Sequence, residues 1–336
     1  MKNKYFKNML IPGIFAVAAV VIPAILIQIN VIDAYTAQII TLSGINAIMA
    51  LSVNIICGFT GQLSLGQAGF MAIGAYSTII LTSNLGIPLP ISIIASGFIT
   101  ALFGIIIGFP TLKLEGDYLA IVTLGFGEII RVVFFNLKKL TGGPNGIQFP
   151  TILTLNSTVA YISIIGTLVL LVILVQNFIR STYGRAILAV REDEIAANSS
   201  GIPVFKYKMI GFVLASFVAG IGGALYAPFI GFIKPEQASF TKSIDYLIYV
   251  VLGGMGSTTG SILAAFILTY LQEFLRFLQN FRLLIYPVIL IIVMLFRPQG
   301  LLGLKEFSFV NFVHNCPTYP SRIKAWFMKV FKKESD

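Results

Sequence analysis

Three consecutive pieces of the chain decide its architecture. Residues 158–179 read TVAYISIIGTLVLLVILVQNFI, residues 180–208 read RSTYGRAILAVREDEIAANSSGIPVFKYK, and residues 209–231 read MIGFVLASFVAGIGGALYAPFIG. The outer two are continuously apolar and long enough to cross a hydrocarbon core, which takes ~20 helical residues. The middle piece holds five of the 23 basic and three of the 13 acidic residues. Such an island cannot lie in hydrocarbon, so it faces an aqueous partner or the membrane surface.

The same grammar extends in both directions. Apolar runs fall at about 10–29, 37–57, 63–82, 89–109, 118–136, 158–179, 209–231, 245–275 and 283–297. The composition is 57% hydrophobic and only 11% charged, against about 25% charged in ordinary soluble domains. The expectation is an all-α, polytopic membrane helix bundle of roughly eight to ten spans. Helices are expected rather than barrel strands because the runs are continuously apolar, not alternating. The first run follows Lys2, Lys4 and Lys7 and continues well past Ala16–Ala18, which predicts an uncleaved first span rather than a signal peptide.

The net charge of +10 does not imply nucleic acid. The basic residues sit between and beyond apolar runs, where lipid head groups and the positive-inside rule account for them. With the N-terminus in the cytoplasm, Lys113, the island and the tail from Arg297 to Lys333 join the N-terminal lysines inside. Lys138, Lys139, Lys234, Lys242, Arg276 and Arg282 fall outside. Both termini are then cytoplasmic, provided 245–275 dips in and returns to the same side. His314 is the lone histidine, and Cys57 and Cys316 have no metal or disulfide spacing. No catalytic residue, metal site or bound cofactor is expected on this chain.

Two Gly-rich interruptions stand out. One is Gly58-Phe59-Thr60-Gly61-Gln62-Leu63-Ser64-Leu65-Gly66-Gln67-Ala68-Gly69, the other Gly253-Gly254-Met255-Gly256-Ser257-Thr258-Thr259-Gly260. Paired breaks in the two halves of a transporter point to a substrate path, with Gln62, Ser64, Gln67, Ser257 and Thr258 as candidate contacts. The competing reading is close helix packing through small residues. Glu128 and Arg131, three apart on one helical face near mid-span, either touch a zwitterionic substrate or form a structural pair. In the island, Ala186–Asn198 reads as a short helix stopped by Gly201 and Pro203. The alternative is a solvated helix without a partner. Residues 304–336 form a basic tail in which Ile323, Trp326, Phe327 and Val330 share a face, a pattern suited to an anionic lipid surface.

The series GRAILAVREDEIAANSSGI (184–202), followed by GFVLASFVAGIGGALYAP (211–228), resembles the cytoplasmic coupling loop and next span of ABC importer permeases. More narrowly it resembles the LivM-type subunit of branched-chain amino acid importers. GFTGQLSLGQAGFMAIGAY (58–76), YLAIVTLGFGEIIRVVFFN (118–136), LTGGPNGI (140–147), YVVLGGMGSTTGSILAAF (249–266) and FRPQGLLG (296–303) agree, in order, over about residues 37–303. The resemblance implies a permease domain over 1–303 and leaves the tail without a family role. It implies that Gly184, Arg185, Ala189, Arg191, Glu192, Glu194, Ala197 and Gly201 couple to separate ATPase subunits. ATP would bind those subunits, since this chain lacks a G-x-x-x-x-G-K-[ST] loop. It also implies a second, LivH-like permease, an extracytoplasmic substrate-binding protein, and leucine, isoleucine or valine as substrate. A urea or short-amide ABC permease and an ion-coupled carrier remain as alternatives; the latter would want several intramembrane acids, and beyond Glu128 they are scarce.

Overall fold

The computed structural model describes residues 17–303, apart from 19, 30, 115, 150–155 and 298. The expectations for the first lysines, the onset of the first span and the tail 304–336 therefore lie outside the described residues. The chain is a polytopic helical bundle, as the apolar runs predict. Helix α1 covers 20–28. Then come α2 (Ala34–Val53), α3 (Gln67–Ile79), α4 (Leu89–Thr111), α5 (Asp117–Asn136), the single turn α6 (Lys138–Thr141) and α7 (Ser157–Arg180). The second half holds α8 (Thr182–Glu192), α9 (Glu194–Ser199), α10 (Val204–Ile230), α11 (Phe240–Gly253), α12 (Thr258–Phe274) and α13 (Arg282–Phe296). Among the described residues, six helices are long and apolar enough to cross a membrane.

Helix α10 is central, packed against α3 and α4 and also against α2, which in turn packs on α7 and α12. The glycines of these helices let backbones touch, which lipid-embedded helices exploit because no hydrophobic gain separates tail from side chain. A Cβ on Gly223 would stand 1.8 Å from the Met71 carbonyl oxygen, and one on Gly74 would stand 2.1 Å from that of Gly220. Buried hydroxyls bond within their own helix, as in Thr41 to the Ala37 oxygen at 2.7 Å and Ser216 to that of Phe212 at 2.9 Å. Others tie helices together: Thr78 Oγ1 donates to Ser96 Oγ at 2.8 Å, and Asn46 Nδ2 to Thr269 Oγ1 at 2.9 Å.

The bundle has two distinct ends. At one lie α8, α9 and both helix breaks. Lys113 joins them, stacked over Phe109, whose ring meets Phe205 edge-on. The segment after α13 returns there, with the Leu301 N–H bonded to the Leu252 oxygen at 2.7 Å. At the other end a two-residue ladder pairs Ile147–Gln148 with Phe232–Ile233, next to Lys138, Lys139 and Lys234. Lys113 and the island thus lie at one end of the bundle and Lys138, Lys139 and Lys234 at the other.

Two apolar runs are not single helices. The run 63–82 begins with an extended stretch and turns helical only at Gln67. The run 245–275 is a hairpin: α11 and α12 pack antiparallel about a turn at 254–257, where Gly254 and Gly256 take φ +107° and +90°. Both of these values favour glycine over any side chain. The segment therefore does return to the side from which it started, as the parity of the charges requires, but it reaches the end where the island lies.

Candidate functional site

The island folds as two short helices instead of one. Ser181 Oγ accepts the Gly184 N–H at 3.3 Å, which starts α8 four residues earlier than the expected helix. Asp193 then leaves helical geometry (φ −157°, ψ 110°), and its carboxylate accepts the N–H groups of Ile195 at 2.9 Å and Ala196 at 3.0 Å. An aspartate competes for backbone donors in this way, so it caps a new helix rather than continuing the old one. Helix α9 closes at Gly201 (φ +81°), with the Ile202 N–H returning to the Ala197 oxygen at 3.0 Å.

The eight island residues singled out from the sequence face two ways. Arg185, Ala189, Glu192, Glu194 and Gly201 are exposed. Gly184 and Ala197 are buried, and a Cβ on Gly184 would stand 2.2 Å from the Ile179 oxygen, so its smallness serves the α7–α8 corner. Arg191 turns inward. Its Nη1 donates to the Gly58 carbonyl oxygen at 2.7 Å, while Nη2 sits 3.3 Å from Glu192 Oε1. Glu194 Oε1 lies 2.5 Å from Lys208 Nζ on α10, and the Lys208 side chain is 10% exposed. Ile195 was not singled out, yet it is 80% exposed at the tip of α9. An isoleucine beside a capping aspartate carries no sequence signal for this.

Gly58 belongs to a π-helical continuation of α2, Asn54–Phe59, a widened turn that commonly marks functional positions. There the two breaks meet. The Gly256 N–H donates to Asn54 Oδ1 at 2.8 Å. A Cβ on Gly58 would fall 2.1 Å from that oxygen and 2.5 Å from the Gly256 nitrogen. Arg191 also packs across Gly61, where a Cβ would stand 2.9 Å from Arg191 Cγ. One arginine of the island therefore touches the first break, and the first break holds the second. Ser257 and Thr258 serve the start of α12: Ser257 Oγ accepts the Gly260 N–H at 3.1 Å, and Thr258 Oγ1 accepts Gln176 Nε2 at 3.3 Å.

In the first break, exposure alternates along the extended stretch Gly61–Gly66, so Gln62 and Ser64 point to one side, into the protein. Gln62, Ser64 and Gln67 are only 5%, 2% and 1% exposed. Gln67 Oε1 accepts Ser52 Oγ at 3.0 Å. Both side-chain polar atoms of Gln62, Ser64 Oγ, Gln67 Nε2 and Asn54 Nδ2 have no hydrogen-bond partner within the protein. Each such buried group costs about 1–3 kcal/mol. A cluster of them in one segment is an anomaly that a packing role leaves unexplained.

Glu128 and Arg131 form the pair their spacing predicts, with Arg131 Nε 2.6 Å from Glu128 Oε2. Glu128 Oε1 also accepts the Phe240 N–H at 3.2 Å, so the carboxylate ties α5 to the start of α11. The two side chains remain 32% and 38% exposed, on a helix whose same face also shows Ile121 and Val132.

Residues 35–296 match the family described as the permease component of branched-chain amino acid transport systems. This chain belongs to that family. It is 37% identical over 300 residues to the high-affinity branched-chain amino acid transport system permease protein LivM of Escherichia coli K12, covering 81% of this chain and 71% of that one. The probable LivM of Methanocaldococcus jannaschii is 22% identical over 319 residues, with 78% and 91% covered. The permease protein LivH of E. coli K12 is 25% identical over 298 residues, with 80% and 94% covered. No solved structure matches the chain. Neither the urea or short-amide reading nor the lone ion-coupled carrier is favoured by these relatives.

Proposed function

We propose that this chain is the membrane-spanning subunit of an ATP-driven importer that carries leucine, isoleucine or valine across the cytoplasmic membrane. ATPase subunits dock on the exposed side of α8 and α9, and a binding protein delivers substrate at the opposite end. The observation that carries this reading is the Arg191–Gly58 hydrogen bond together with the Asn54–Gly256 bond. Any displacement of the island is passed to both breaks through two polar contacts, with no flexible linker between them. A two-state element of this kind is what a soluble motor needs in order to bias a membrane path.

Arg185, Ala189, Glu192, Glu194 and Gly201 then border the docking surface, with Ile195 as its apolar centre. Gly184, Arg191 and Ala197 transmit rather than touch. Gln62, Ser64 and Gln67 offer unpaired amide and hydroxyl groups to the polar head of an amino acid when the break opens. Ser257 and Thr258 bound the same route from the hairpin side. Glu128 and Arg131 form a half-exposed charged pair that lipid tails cannot cover cheaply. A LivH-like second permease seated on α5 covers them. ATP stays on the partner subunits. We assign the island's side, and with it both chain termini, to the cytoplasm.

The test is reconstitution of the chain with candidate ATPase, second permease and binding protein in liposomes, followed by uptake of radiolabelled leucine. ATP-dependent accumulation is expected. Uptake driven by an ion gradient without any ATPase would overturn the reading.

A further inference from the structure

Beneath the island lies a cavity of about 250 Å³. Its walls come from the end of α7, from α8, and from both breaks: Gln176, Arg180, Arg191, Phe59, Gly256 and Thr258 are among the residues that line it. Two arginines therefore line one small space, and no acidic residue does. Glu192 neutralises part of the Arg191 charge from outside, at 3.3 Å, with a side chain 73% exposed. Arg180 closes α7 and is exposed. Gln176 spends one N–H on Thr258, and a primary amide carries a second.

We propose that this cavity binds the phosphate of an anionic membrane lipid from the leaflet on the island's side. The chemistry is that of a phosphodiester: Arg180 supplies a forked donor suited to phosphate oxygens, Arg191, held by Gly58 and Glu192, adds positive charge at the wall, and an amide adds a neutral donor. The volume is below the about 300–1,000 Å³ usual for whole small-molecule ligands, so it suits a head group whose tails remain in the bilayer. The position agrees, since Arg180 stands where a spanning helix ends and head groups begin. Basic pockets between spanning helices are recognised sites for such lipids. A lipid seated there touches the island and both breaks at once, so it stiffens the joint through which the motor acts.

The test uses the full-length chain in detergent, read by native mass spectrometry against phosphatidylglycerol and phosphatidylcholine. Wild type is expected to retain phosphatidylglycerol preferentially, and Arg180→Gln to need on the order of tenfold more of it, the loss of about one charge-assisted hydrogen bond. Equal retention of the two lipids by wild type, or retention of phosphatidylglycerol by Arg180→Gln at the wild-type level, overturns the proposal. Melting temperature in phosphatidylcholine, expected to be unchanged because Arg180 is exposed, excludes a folding defect. Inorganic phosphate is the competitor: displacement of the lipid assigns the same site to free phosphate as well, and failure to displace assigns it to lipid alone. Binding is read without ATPase or transport, so it stands or falls separately from the importer reading.

Discussion

Arg191→Met removes the guanidinium while keeping an apolar stem of similar length across Gly61. What is lost is the 2.7 Å bond from Nη1 to the Gly58 carbonyl. A hydrogen bond involving a charged donor contributes about 1.5–3 kcal/mol. The ion pair with Glu192 adds little, because the Glu192 side chain is 73% exposed and solvent screens it. If that bond biases the breaks toward one state, its removal shifts their equilibrium by roughly ten- to a hundredfold. Folding stability should fall by no more than about that same 1.5–3 kcal/mol, so the variant is expected to remain folded. The assay is leucine uptake and ATP hydrolysis measured in the same liposomes, in a fixed lipid mixture. The expected outcome is ATP hydrolysis near the wild-type rate with uptake per ATP lowered by at least about tenfold. If Arg191→Met leaves uptake per ATP unchanged, the bond carries no force and the link from island to breaks is wrong.

Two further outcomes follow from the same geometry. Ile195→Asp, at a residue 80% exposed, is expected to leave the folded chain intact by melting temperature and to abolish co-purification of the ATPase subunits. Normal co-purification would remove Ile195 from the docking surface. Gln62→Leu deletes two buried, unpartnered polar atoms, so it should stabilise the chain by about 2–6 kcal/mol in thermal unfolding while lowering leucine uptake. A more stable variant that transports at the wild-type rate would show that Gln62 is not a substrate contact.

The site was legible in part. Charge among apolar runs marked the island, and the glycines marked both breaks. Reversing the charges of Arg191 and Glu194 would be a poor probe of docking. Glu194 lies against Lys208, whose side chain is 10% exposed, so reversing Glu194 places two cations together in a largely buried setting and disturbs α10 as well. Ile195 carries no signal of its own: its 80% exposure follows from the cap at Asp193, which redirects the chain. Glu128 and Arg131 were correctly paired by spacing, but their hold on the start of α11 joins residues more than a hundred apart in sequence.

By itself the sequence determined the solvent and the units. Lengths of apolar residues set by bilayer thickness can only be spanning helices, because hydrocarbon leaves no other way to satisfy the backbone. Glycine runs must interrupt them, and a charged stretch must lie beyond them. The tertiary structure alone decided which way each polar side chain points. A hydrogen bond such as Arg191 to Gly58 depends on a helical register and on a neighbour 133 residues away. Neither quantity is encoded in local periodicity.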